Sequence, residues 1–146
     1  MMSYHAVADG DPGMQRKIEA ALELGLIVNG HAPLLPGKRL DRYIAAGVVE
    51  YHECSSEEEA LERIRNGQSI LIRKVTAARY LEGLLPLFEE PYAGRCLLVT
   101  DDRHPADLLR EGQIDAINRQ AAAAGKNPIT GIRMATIQAA EYYGLR

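Results

Sequence analysis

The stretch "VNGHAPLLPG", residues 28–37, decides how the rest of the chain is read. It completes a short apolar run, "LIVNG" (residues 26–30), whose length and composition suit a buried β-strand. The run leads into His31, followed closely by two prolines and a glycine that forbid regular structure. A histidine at such a point is poorly placed for core packing and well placed to hold a ligand.

Upstream, "DPGMQRKIEAALELG" (residues 11–25) is a signed helix, with an acidic start, Pro12 in the first turn, apolar spacing at Ile18, Ala21 and Leu22, and Gly25 as its stop. Downstream the same alternation recurs. "GKRLDRYIAAG" (37–47) reads as a helix and "VVEYHE" (48–53) as a strand. "SSEEEALERIRNG" (55–67) carries a Ser N-cap, acids in its first turn and basics in its last. "SILIRK" (69–74) follows as a strand, and "TAARYLEGLLPLFEE" (76–90) as a helix that Pro86 kinks or ends. "RCLLVTDD" (95–102) is the fourth strand, and three helical stretches, 104–112, 113–126 and 127–144, close the chain. Short apolar strands separated by helices imply a parallel sheet covered by helices, hence an α/β fold of about four parallel strands with extra C-terminal helices. No linker or repeat divides the 146 residues, enough for the core of one domain spanning 1–146.

Composition narrows the function. A net charge of −3 with no Lys/Arg cluster argues against a nucleic-acid partner. Apolar runs such as "CLLVT" are far too short to span a membrane. Residues 1–13 lack the basic and apolar regions of a signal peptide, so cytoplasmic residence is expected. Cys54 and Cys96 stand in no CxxC spacing and read as reduced thiols. No GxGxxG, GxxxxGK[ST] or GxSxG occurs, which leaves nucleotide-loop and serine-hydrolase chemistry without support.

The polar residues fall at strand ends. His31 follows the first strand, His52 and Glu53 end the second, Arg73 ends the third, and Thr100, Asp101 and Asp102 end the fourth. In parallel α/β architectures the C-terminal strand ends converge on one face, which holds the active site. Two histidines and a carboxylate there have the composition of a divalent-metal site. Each residue also has an ordinary use: a hydrogen-bonded structural histidine, an ion-paired Arg73, an Asp102 capping the next helix. His5 falls in a terminal segment expected to be loose, and His104 at a helix start beside Pro105 reads as a capping residue.

Taken in order, "GDPGMQRKIEAALELG", "GHAP", "YIAAGVVEYHEC", "EEALERIRNGQSILIR", "CLLVTDDRHPADLLREG" and "ITGIRMATIQAAEYYGL" resemble the adenine deaminases of the metal-dependent amidohydrolase superfamily. The resemblance runs from about Val7 to Leu145. It implies a TIM-type barrel of which this chain is the C-terminal half, a substrate that is adenine or a related purine, and a divalent metal, manganese or iron, with zinc also suited to the donor set. It assigns His31 and His52 as metal ligands, Asp101 as ligand and proton acceptor, and Arg73 as an active-site residue beside them; Glu53, from its strand-end position, is expected to serve as a base toward a bound water. The family's first-strand HxH pair has no counterpart, and its bridging glutamate would fall just before Met1. Asn29 and Tyr51 stand where the family has aspartates, and "RKVT" (73–76) stands for "REGS".

Adenine hydrolysis by this chain alone is therefore expected to be absent or very slow. Four strands cannot close an eight-stranded barrel, which leaves an apolar inner face. Two occupants suit that face: a second copy, giving a homodimer, or the C-terminal helices folded back. A further possibility is a non-catalytic remnant acting as a self-associating or partner-binding domain.

Overall fold

The computed structural model describes residues 1–74 and 81–145. At its centre three parallel strands, β1 (Glu50–Tyr51), β2 (Ser69–Arg73) and β3 (Cys96–Val99), lie side by side in chain order. Sequential parallel order with helical connections is the winding of βαβ units, the building block of parallel α/β folds. The α/β class expected from the sequence is thus observed.

Among the described residues the strand count is three rather than the expected four. "LIVNG" contributes a single parallel bridge, Val28 with Val48. The reason lies in where its backbone hydrogen bonds go. Past Val28 the Asn29 carbonyl accepts from the Met1 amino group, the Gly30 N–H donates to the Glu50 carboxylate at 2.9 Å, and the His31 N–H donates to the Met1 carbonyl at 3.0 Å. With those groups used elsewhere, no ladder extends.

The helices follow their signals. Asp11 caps α2 (Pro12–Glu23) by accepting from the Met14 N–H at 2.8 Å, and Ser56 caps α4 (Glu57–Arg65) through the Glu59 N–H. Between them runs α3 (Gly37–Ala45), which presents Leu40 and Tyr43 to the core. Gly47 (φ 110°) and Gly67 (φ 96°) end helices in left-handed conformations that a side chain would resist. Two of the remaining elements differ from expectation, and a third, which tightens at Pro86, agrees with it. The segment holding His5 is a short helix, α1 (Tyr4–Ala8), fixed by buried Val7 and Ala8. The start of the helix expected over 76–90 lies outside the described residues. From Leu81 it runs as α5 (Leu81–Leu84) and tightens at Pro86 into a 3-10 turn over Leu85–Phe88. The last helical stretch breaks at Thr136 into α8 (Pro128–Ala135) and α9 (Ile137–Tyr142), after α6 (Pro105–Glu111) and α7 (Ile114–Ala123).

Alternation along the strands sets the layers. Ile70, Ile72, Cys96 and Leu98 join the helix-covered core. Leu71, Leu97 and Arg73 take the other face, Leu71 opposite Leu97 and Arg73 opposite Val99. There α9 supplies cover, since Gln138, Glu141 and Tyr142 share a cavity of about 220 Å³ with Ser69 and Leu97. Cys54 and Cys96 are buried free thiols, and burial pushes the Cys96 thiol up to about 12. No helix among the described residues is long and apolar enough to cross a membrane.

Candidate metal centre

Each candidate side chain leaves the C-terminal end of a strand or bridge. His31 follows the Val28 bridge, and the loop after it is pinned from below. Arg63, 1% exposed, donates to the Ala32 carbonyl at 2.6 Å and to Gln68 Oε1 at 3.2 Å, and lies 3.4 Å over the Tyr51 ring. A buried guanidinium with these partners ties the His31 loop to β1. His52 and Glu53 follow β1 directly, and the histidine rings meet edge to face with centroids 4.6 Å apart.

Ligand atoms of His31, His52 and Glu53, one from each, all lie within 4.8 Å of one another. His31 Nδ1 is 3.3 Å from Glu53 Oε2. That oxygen is buried and makes no hydrogen bond among the described residues, an expensive condition for a carboxylate that a cation would relieve. Two imidazoles and an oxygen with a free lone pair are the donor set that zinc, manganese and iron accept. The residues therefore fit a divalent ion.

Arg73 extends the site along the strand ends. One terminal nitrogen is ion-paired with Asp101 Oδ2 and the other lies 3.7 Å from Glu53 Oε1. Asp101 is placed one guanidinium away from the histidines, outside their cluster. Its backbone is left-handed, φ 51°, a conformation aspartate tolerates better than most residues and one concentrated at functional turns. The other singled-out histidines serve locally. His104 Nδ1 caps α6 by accepting from the Ala106 N–H at 3.2 Å, and exposed His5 meets Arg39 at 3.3 Å.

One residue that sequence reading passed over stands behind the cluster. Glu50, 1% exposed, accepts from the Gly30 N–H through Oε1 and contacts His52 Nδ1 at 3.1 Å through Oε2. The hydrogen bond to Glu50 raises the His52 pKa above its usual 6.5. Its signal was present in "VVEYHE", where Glu50 and His52 are two residues apart and share a strand face. From the opposite side Tyr142 of α9 donates to Asn29 Oδ1 at 2.7 Å, which ties the last helix to the segment that carries His31.

Fold and site together define a parallel α/β domain with a histidine–carboxylate centre at its C-terminal strand ends. The chain is 48% identical over 145 residues to an adenine deaminase of Methanothermobacter thermautotrophicus, covering 99% of this chain and 26% of that protein. It is 43% identical over all 146 residues to an adenine deaminase of Desulfatibacillum aliphaticivorans, and 41% identical over 145 residues to adenine deaminase 1 of Rhizobium meliloti. No protein-family model matches the chain. Along its whole length the chain is thus similar to one part of these adenine deaminases, and it spans about a quarter of the length of the curated relatives it matches.

Proposed function

We propose that this chain is the C-terminal half of a TIM-type aminohydrolase barrel and carries half of a purine-deaminating metal site. Convergence of His31, His52 and Glu53 at parallel strand ends carries the reading, in a chain similar to adenine deaminases along its whole length. The sequential parallel strand order is compatible with such a barrel.

His31 and His52 would hold the metal, with Glu53 and Asp101 as the carboxylates available to it. A bound divalent cation supplies Lewis acidity and lowers the cost of deprotonating water. The protein's own part is positional. Arg63 and Glu50 fix the two histidine-bearing segments, and Arg73 holds Asp101 and Glu53 at one distance from each other. Asp101 is the proton acceptor of the reading, with an acceptor-only carboxylate at the mouth of the strand ends. The substrate is adenine or a related purine and the metal is manganese or iron, both as the resemblance implies.

The test combines binding with turnover. Adenine titrated into the manganese-supplemented chain should bind saturably, more weakly after Asp101→Ala, while ammonia release stays absent or very slow. No adenine binding in the presence of manganese would contradict the reading. Fast ammonia release abolished by Asp101→Ala would contradict the half-site.

A further inference from the structure

We infer that Glu50 is a positioning residue: it holds His52 as the Nδ1–H tautomer, so that the Nε2 lone pair is the one offered to the metal cluster. This rests on the metal-site reading above and adds to it a residue that the resemblance does not assign.

Glu50 is 1% exposed, and a carboxylate so buried is tolerated only with its oxygens satisfied. Both are engaged: Oε1 accepts from the Gly30 N–H at 2.9 Å, and Oε2 faces His52 Nδ1 at 3.1 Å. An ionised carboxylate has no hydrogen to give, so the ring nitrogen that faces it must be the donor. In a neutral imidazole the proton on Nδ1 leaves Nε2 as the acceptor. Metal-bound histidines generally give their second nitrogen to such an acceptor, which fixes both tautomer and ring orientation. The same carboxylate anchors the backbone at Gly30, one residue before His31. One buried group thus sets the position of both histidines, whose rings lie 4.6 Å apart.

Glutamine is the discriminating substitution. In Glu50→Gln the amide oxygen can still accept from the Gly30 N–H, but its NH₂ then faces His52 Nδ1 as a donor. The satisfied arrangement becomes the Nε2–H tautomer, with no lone pair toward the cluster. Long-range ¹H–¹⁵N NMR of the metal-free chain, recorded on the high-pH plateau of the ring nitrogen shifts, reads the tautomer directly, and zinc titration calorimetry reads the consequence. Wild type should show Nδ1–H. Glu50→Gln should show Nε2–H with zinc affinity lowered about 10–100-fold. Glu50→Asp, which keeps an acceptor-only group, should restore Nδ1–H. Wild-type His52 in the Nε2–H form overturns the inference whatever the variants do, as does Glu50→Gln with unchanged tautomer and affinity. If wild type shows Nδ1–H and Glu50→Gln shows Nε2–H but neither binds zinc, the metal reading fails while the role of Glu50 stands.

Discussion

Arg73 and Asp101, at the ends of the adjacent parallel strands β2 and β3, are ion-paired beside the histidine cluster, and the same guanidinium lies 3.7 Å from Glu53. A fixed positive charge so close to a candidate ligand opposes a second cation, while it offsets the repulsion between two carboxylates. Arg73→Gln should therefore act in two directions. It should lower the stability of the metal-free chain, by about 1 kcal/mol for pairs that remain partly exposed. It should also enlarge the stabilisation that added zinc confers. Thermal melts of both proteins with and without zinc check the two signs, and an Arg73→Gln chain less responsive to zinc than wild type would contradict the charge argument.

Leu34 sits in the loop after His31 at φ 54°, with 90% of its surface exposed. A leucine there bears the left-handed cost, about 1–2 kcal/mol, and recovers nothing by burial. Asparagine adopts this conformation more readily. Leu34→Asn should raise stability by about 0.5–1 kcal/mol. A denaturant midpoint unchanged or lowered by the substitution would refute this account of the loop.

The loop entering α6 depends on pH through Glu111. Hydrogen bonding from the Lys74 ammonium holds its carboxyl below the usual 4.5, and Arg103 lies 2.5 Å from the same oxygen. A carboxyl depressed in the folded state contributes stability that is complete above its unfolded value and lost as pH falls through the folded one. Wild type should accordingly exceed Glu111→Gln in stability at pH 6, and the gap should close as pH drops below 4.5. Denaturant titrations of both at several pH values measure it, and a gap independent of pH would exclude the linkage.

Self-association is expected along the Val28 edge. Leu24, Leu26, Ile27 and Val49 lie exposed beside that single bridge, the last at 38% and Leu24 at 76%. A closed two-fold pairing of copies buries such a strip most simply. Light scattering at micromolar concentration should give a dimer mass, shifted to monomer by Leu26→Lys. A monodisperse wild-type monomer would rule the dimer out.

Much of this fold was legible because local signals and tertiary packing agree. Ser56 caps the helix it announces, Gly47 and Gly67 stop theirs, and the apolar runs of β2 and β3 are buried strands. The differences arise where a partner distant in sequence decides. Residues 26–30 have strand composition, but Met1 and Glu50 take the hydrogen bonds a ladder needs. The period of residues 127–144 shows no break at Thr136, whose hydroxyl bonds the Ile132 carbonyl as the helix ends. In the site, strand-end position was enough to bring His31, His52 and Glu53 together. The place of Asp101 depends on Arg73, and the use of Glu50 appears only once Gly30 is packed against it.

A divalent metal held between His31, His52 and Glu53 should travel with the chain through purification. The most direct measurement is the metal content of the chain purified without chelators, alongside His31→Ala and Glu53→Gln. Wild type should carry about one ion per chain, as a single two-imidazole, carboxylate donor set allows, and either variant far less. Wild type free of manganese, iron and zinc, or variants that retain the full complement, would contradict it.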